Sequence, residues 1–206
     1  MEISDIDMSI PKIWQAWWRF VRSKRKTPEY HDFVFNLESN LHQIHEDLCR
    51  RTYVHGSYEV FETYENKKRT IRVAKWRDRV VHRLVYDYLV EIYDESFIYD
   101  LWSCRKGKGL TGAIERSQLL LRRNQRAFVW RSDVKKFFDS VDQDTLLPVL
   151  KKKIVRPDAL WIIEKIIHSY SCDLGERERE RERVNLARGK ACLSVTLPAR
   201  FSQTYI

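Results

Sequence analysis

Cysteine is scarce: Cys49, Cys104, Cys172 and Cys192 are the four in 206 residues, and they form no C-x-x-C pair and keep no regular spacing. That argues against a disulfide framework or a zinc ribbon and fits a reducing cytosol. No apolar run approaches the ~18 residues of a membrane span. The opening MEISDIDMSI is acidic rather than signal-like. The expected location is therefore cytoplasmic, with no membrane partner. Glycine is sparse too, and three of the six, Gly107, Gly109 and Gly112, crowd into one stretch. Acidic charge is in deficit, 29 Asp+Glu against 38 Lys+Arg, which leaves +9 and a pI near 9.4. A basic excess favours a polyanionic partner, because phosphate contacts release counterions. With 43% hydrophobic and 13% aromatic residues the chain can bury a sizeable core, which excludes a disordered polymer.

The apolar spacing alternates between two periods. PKIWQAWWRFVR, residues 11–22, brings Ile13, Trp17, Phe20 and Val21 near one helical face. TPEYHDFVFNLESNLHQIHEDLCRRTY spaces Phe33, Leu37, Leu41, Ile44 and Leu48 by threes and fours, which predicts an amphipathic helix. In SYEVFETYENKKRTIRVA the period changes. Tyr58, Phe61, Tyr64, Ile71 and Val73 flank a polar turn at Glu65-Asn66-Lys67, predicting an antiparallel hairpin. DRVVHRLVYDYLVEIYDESF is helical again, with Asp78 as its cap and Val81, Leu84, Val85, Tyr88 and Leu89 inward. Residues 103–112, SCRKGKGLTG, read as a loop, 113–126 as a basic helix, and Ala127 to Trp130 as an apolar strand. A helix capped by Asp142 or Asp144 follows, burying Leu146, Leu147 and Leu150, and LWIIEKIIHSY predicts one more. Beyond Gly175, ERERERER (176–183) alternates strictly and the remainder keeps no period.

Several clusters are chemically suggestive. His42, His45, Glu46 and Cys49 fall within two helical turns, yet a metal needs converging ligands with open geometry, so a polar flank of a packed helix is expected. His82 and His168 each stand among apolar helical neighbours, with the same expectation. Gly107-Lys108-Gly109-Leu110-Thr111-Gly112 spells G-x-G-x-x-G, but it follows a helix rather than a strand, so a dinucleotide loop is not supported. A basic loop near a nucleic-acid backbone fits Arg105, Lys106 and Lys108 better. Lys67, Lys68, Arg69 and Arg72 load the hairpin with positive charge. Most specific is RSDVKKFFD, residues 131–139. A carboxylate at a strand end, followed by a turn, suits Mg²⁺, which takes one or two protein carboxylates plus phosphate oxygens. Phe138 beyond Asp133 could wall a sugar, and Phe137 is expected in the core.

RTIRVAKWRDRVVHRLV, FIYDLWSCRKGKG and FVWRSDVKKFFDSVDQDTLL occur in that order. Together they resemble bacterial reverse transcriptases of the group II intron-like and diversity-generating retroelement kind, from about residue 40 to about 172. The resemblance implies an α+β fold, the fingers and first part of the palm of a right-hand polymerase, mostly helical with an antiparallel fingers hairpin. The implied domains are 1–126 (N-terminal helices and fingers), 127–175 (start of the palm) and 176–206 (an aberrant tail). It implies Asp133 as a catalytic metal ligand, the Val134 carbonyl as an accessory ligand, and Phe138 as the gate where a ribose 2′-hydroxyl would sit. Arg69 and Arg72 fall where the fingers contact the incoming triphosphate. Trp102 departs from the family's usual loop. The implied partners are an RNA template, a DNA primer and dNTP, with two Mg²⁺ ions roughly 3.5–4 Å apart. The family's Tyr-x-Asp-Asp tetrapeptide does not occur, so inactivity of this chain alone is expected. A non-catalytic basic RNA-binding remnant and a pseudogene product are the alternatives.

The tail has a coding explanation, offered as a hypothesis. ERERERER is what a GA-dinucleotide tract encodes, and such tracts slip. KACLSVTLPARFSQTYI, residues 190–206, can be back-translated so that reading one base earlier gives GLPIGNLTSQIFANIY. That string resembles the family's Gly-Pro-Gly…Ser-Gln region. A tail in the wrong frame was never selected to pack, so residues after about 175 are expected to be poorly ordered. The prediction is that the coding DNA holds these codons, with an open frame encoding Tyr-x-Asp-Asp downstream. Sequencing through the tract checks it, and other codons there would remove the explanation.

Overall fold

Pro11 and Pro28 open the first two helices, α1 (Ile10–Val21) and α2 (Pro28–Phe35). A missing N–H costs nothing in a first turn, and proline's fixed φ suits it. The computed structural model describes residues 5–22, 24, 26–64, 68–134 and 141–170; all but Tyr170 belong to one unit. The chain continues through α3 (Leu37–Cys49), β1 (Glu59–Tyr64), β2 (Lys68–Val73) and α4 (Trp76–Tyr93), then a 3₁₀ turn at Asp94–Ser96. Helices α5 (Leu110–Arg123), α6 (Gln143–Lys151) and α7 (Pro157–Ser169) follow. Among the described residues the fold is mostly helical with one two-stranded antiparallel sheet. No helix among the described residues is long and apolar enough to cross a membrane.

The helix expected across Phe33 to Leu48 is two helices. Asn36, at φ −113° and ψ 34°, interrupts it, and its N–H turns back to the Val34 carbonyl. Asn40 Nδ2 donates to the Phe33 carbonyl at 2.9 Å. Short amide side chains compete in this way with the helical ladder. The apolar stripe survives the break: Leu41, Ile44 and Leu48 are fully buried, and Phe33 and Leu37 pack at the margin of the core.

Helix α4 lies against α1, α2, α3 and α7 and buries Val80, Val81, Leu84, Val85 and Tyr88. Trp17 of α1 sits among the rings of Phe33 at 5.3 Å, Tyr30 at 6.1 Å and Trp76 at 6.2 Å. Such aromatic contacts add about 0.5–1.5 kcal/mol per pair to area burial. Asp87, buried on α4, accepts Arg19 Nη1 of α1 at 3.0 Å and pairs with Arg83 Nη2 at 2.9 Å. The helix–helix seam is therefore apolar with one paired charge inside it.

Asp78 is not the cap of α4. The helix starts at Trp76, with Lys75 in the N-cap position, and Asp78 sits one turn inside at 1% exposure. Its Oδ1 accepts the Tyr53 hydroxyl at 2.8 Å, and its Oδ2 accepts the Gly56 N–H at 3.1 Å. Arg77 Nη1 stands 3.6 Å from Oδ1. A carboxylate here also meets the positive end of the helix dipole. Burial, then the Asp78 charge, pushes the Tyr53 hydroxyl far up. Gly56 is needed for closeness, since a Cβ there would lie 3.0 Å from Asp78 Oδ2. The strap 53–58 is thus tied to α4 before it enters β1.

The strand expected at 127–130 is an irregular segment. Phe128 is 97% and Trp130 87% exposed. Strand backbone needs a neighbour for its N–H and C=O groups, and among the described residues none runs beside it. The basic helix before it spans Leu110–Arg123 rather than 113–126, so the loop closes at Gly109. Asp142 does take the N-cap position of α6, where it accepts Thr145 Oγ1 at 2.6 Å. The turn at 65–67, Phe137, Phe138 and the tail from 171 lie outside the described residues.

Replacing Asp78 by Ala removes two hydrogen bonds and leaves the Gly56 N–H and Tyr53 hydroxyl unpaired. The expected loss is about 3 kcal/mol, against about 1 kcal/mol for Tyr53→Phe. Urea melts of the two variants check the order, and equal small losses would rule out the tie as a principal anchor.

Candidate nucleic-acid interface

The β1–β2 ribbon is a register of six antiparallel pairs from Glu59↔Val73 to Tyr64↔Lys68. Its apolar residues are not covered: Phe61 and Tyr64 are exposed. Lys68 is engaged, its Nζ 2.8 Å from Glu62 Oε1, and Glu62 also accepts the Tyr64 hydroxyl at 2.9 Å. These bonds, Lys68 first, hold the Glu62 carboxyl below its ordinary range. Position 69 pairs with Thr63 and position 72 with Val60. An odd separation along one strand puts positions 69 and 72 on opposite faces of the ribbon.

The loop between the 3₁₀ turn and α5 folds onto itself through its basic residues. Arg105 grips Asp94 with Nε–Oδ1 at 2.8 Å and Nη2–Oδ2 at 3.1 Å. It also donates to the carbonyls of Asp94 at 2.9 Å and Ile98 at 3.2 Å. This bidentate pair lowers the Asp94 carboxyl and raises the guanidinium. Lys108 donates to the Tyr99 carbonyl and lies over the rings of Tyr99 and Trp102, at 4.2 and 4.8 Å. From α5, Arg116 pairs with Asp100 at 2.8 and 3.1 Å and sits 5.4 Å above Tyr99. Lys106 is exposed.

The glycines here serve shape. Gly107 takes φ +74°, the left-handed region that favours glycine. Gly112 lies under the Trp102 ring, where a Cβ would come within 2.7 Å. The G-x-G-x-x-G spelling therefore records a tight turn and a close helix contact, with no strand ahead of it. Trp102, the residue out of step with the resemblance, is the one that needs Gly112.

Asp133 and Val134 are exposed, and Asp133 Oδ1 accepts the Val134 N–H at 3.0 Å. Among the described residues no three His, Cys, Asp or Glu side chains gather as metal ligands. Two Mg²⁺ ions need several carboxylates between them, so Asp133 with the Val134 carbonyl does not fit a complete two-ion centre. On α3, His45 Nδ1 bonds the Met8 carbonyl at 2.8 Å, and Cys49 Sγ is 3.6 Å from that ring. This is the flank of a packed helix.

His82 is not solitary. Its Nε2 lies 3.0 Å from Nε2 of His55, and the rings stack at 5.0 Å. No spacing rule joins a strap residue to a helix residue 27 positions on; the ties from Arg77 and Asp78 to the strap bring them together.

Arg105→Ala is expected to speed limited proteolysis within 97–109 several-fold while changing RNA affinity by less than about twofold. Lys106→Ala should do the reverse. Loss of affinity without faster cleavage would assign Arg105 to the nucleic acid instead. Set against known proteins, the chain matches no protein-family model and no curated protein.

Proposed function

We propose that this chain is the fingers and the first part of the palm of a reverse transcriptase, an RNA-directed DNA polymerase of the group II intron-like or diversity-generating retroelement kind. The ordered succession of its three motifs, RTIRVAKWRDRVVHRLV, FIYDLWSCRKGKG and FVWRSDVKKFFDSVDQDTLL, carries the reading. Two features of the fold support it. A basic antiparallel ribbon precedes α4, where the resemblance implies a fingers hairpin. The apolar segment Phe128–Trp130 is exposed with no strand beside it among the described residues, as a palm strand without its sheet would be.

In this reading Asp133 and the Val134 carbonyl contribute one edge of the Mg²⁺ site, and Phe138 the sugar gate. Bound Mg²⁺ would activate the primer 3′-oxygen and stabilise the leaving pyrophosphate. The ribbon supplies positive charge toward the triphosphate, and Lys106 with the exposed Arg122, Arg123 and Arg126 supplies it toward the backbone of template and primer. The sequence holds no Tyr-x-Asp-Asp tetrapeptide, so the chain by itself lacks the remaining carboxylates.

The 206-residue chain alone is expected to incorporate no dNTP on a primed RNA template. Joined to palm and thumb segments read from the alternative frame of its own gene, it should show Mg²⁺-dependent, template-directed synthesis. Asp133→Asn should cut that synthesis by about a thousandfold, equivalent to several kcal/mol of lost charge stabilisation. RNA affinity that falls with salt and ignores Asp133→Ala, with no synthesis from the joined chain, would favour the non-catalytic RNA-binding alternative.

A further inference from the structure

The His55–His82 pair lies outside everything assigned above, and its hydrogen bonds define its tautomers. His55 Nδ1 is 2.6 Å from the Gly56 carbonyl, which only accepts, so Nδ1 carries the hydrogen. The Nε2 of neutral His55 is then an acceptor, and His82 Nε2–H donates to it across 3.0 Å. Tyr58 stacks on His55 at 4.9 Å, and its hydroxyl meets Ser169 Oγ at the end of α7, 2.9 Å away. The pair thus joins α4 to the strap that feeds β1, beside the Asp78 tie.

We propose that His55 and His82 form a proton-sensitive latch. When His82 is neutral, the latch fastens strap 53–58 and the root of the β1–β2 ribbon to α4; when His82 takes up a proton it releases both while α1, α3 and α4 stay packed.

The neutral pair shares one hydrogen between two nitrogens. A proton taken up by His82 places a positive charge in a buried site, beside Arg79 and against the His55 ring. The rings must then separate. Asp78, one turn before His82, favours the imidazolium, while Arg79 opposes it, and Arg77 partly neutralises Asp78. On the strap, Tyr53 and Tyr58 are both pushed up and stay neutral, and α7 presents the Ser169 hydroxyl to Tyr58. Burial outweighs these charges and moves His82 from 6.5 down to about 4. The unfolded or released segment therefore binds a proton that the latched one refuses. Stabilisation by neutral His82 is complete above pH 6.5 and is lost as pH falls from there towards about 4.

The latch does not rest on the polymerase reading, and its test uses no nucleic acid. Hydrogen exchange of the full chain is compared at about pH 7.5 and about pH 5, with times scaled for intrinsic rates. Amides of 54–60 are expected to lose protection by about tenfold or more at the lower pH, with α1 and α3 unchanged. His82→Gln keeps an N–H donor toward His55 but does not titrate, so it should abolish the difference. If that variant loses its helical circular dichroism, His82→Asn replaces it. The proposal is overturned by equal loss in the folded variant, by uniform loss across all helices, or by no loss in the native chain. It is also overturned if one equivalent of Zn²⁺ protects the strap at neutral pH, which would make the pair a metal site.

Discussion

One buried carboxylate holds the chain's course between its helices. Leaving α3, the backbone turns through Arg51 at φ 56°, and the Asp47 carbonyl accepts the N–H groups of Thr52 and Tyr53 at 2.9 and 3.1 Å. It then crosses the first turn of α4. There Asp78 binds Tyr53 and Gly56, while its neighbour Arg77 binds Asp47 at 2.6 Å and the Val54 carbonyl at 3.3 Å. Two consecutive helical residues grip one crossing strap from both sides. A buried charge costs several kcal/mol when unpaired, so the arrangement holds only with its full set of donors.

Apolar spacing was legible wherever helices pack on one face. Ile13 and Trp17, Leu41 to Leu48, and Val81 to Tyr88 are buried as their periods imply. The hairpin was legible from its change of period and its polar turn. Less visible were features set by polar side chains acting across the fold. Asn36 splits a stripe that is continuous in its apolar residues, because amides and carbonyls compete locally with the ladder. Asp78 looks like a cap by type and position, but the contacts that bury it come from residues more than twenty positions away. The apolar run at 127–130 carries a strand's composition, yet a strand is a relation between two segments, and composition describes only one.

The candidate interface shows the same division. A run of Lys and Arg specifies charge and leaves open what that charge meets. In the loop before α5, Arg105 meets Asp94 of the 3₁₀ turn, Lys108 lies over the Tyr99 and Trp102 rings, and Arg116 of α5 pairs with Asp100. Net charge therefore overstates the positive surface here. Asp133 is the opposite case: the expectation for it rests on its place among three ordered motifs, and among the described residues its surroundings add a hydrogen bond from Val134.

The ribbon has its own mechanical consequence. Two short strands with no third beside them among the described residues, and with Phe61 and Tyr64 uncovered, have little stiffness of their own. Such a ribbon is a lever whose compliance is set at the fulcrum. A change at Tyr53 or Gly56, in the strap ahead of the strands, would therefore alter the arc of the whole arm.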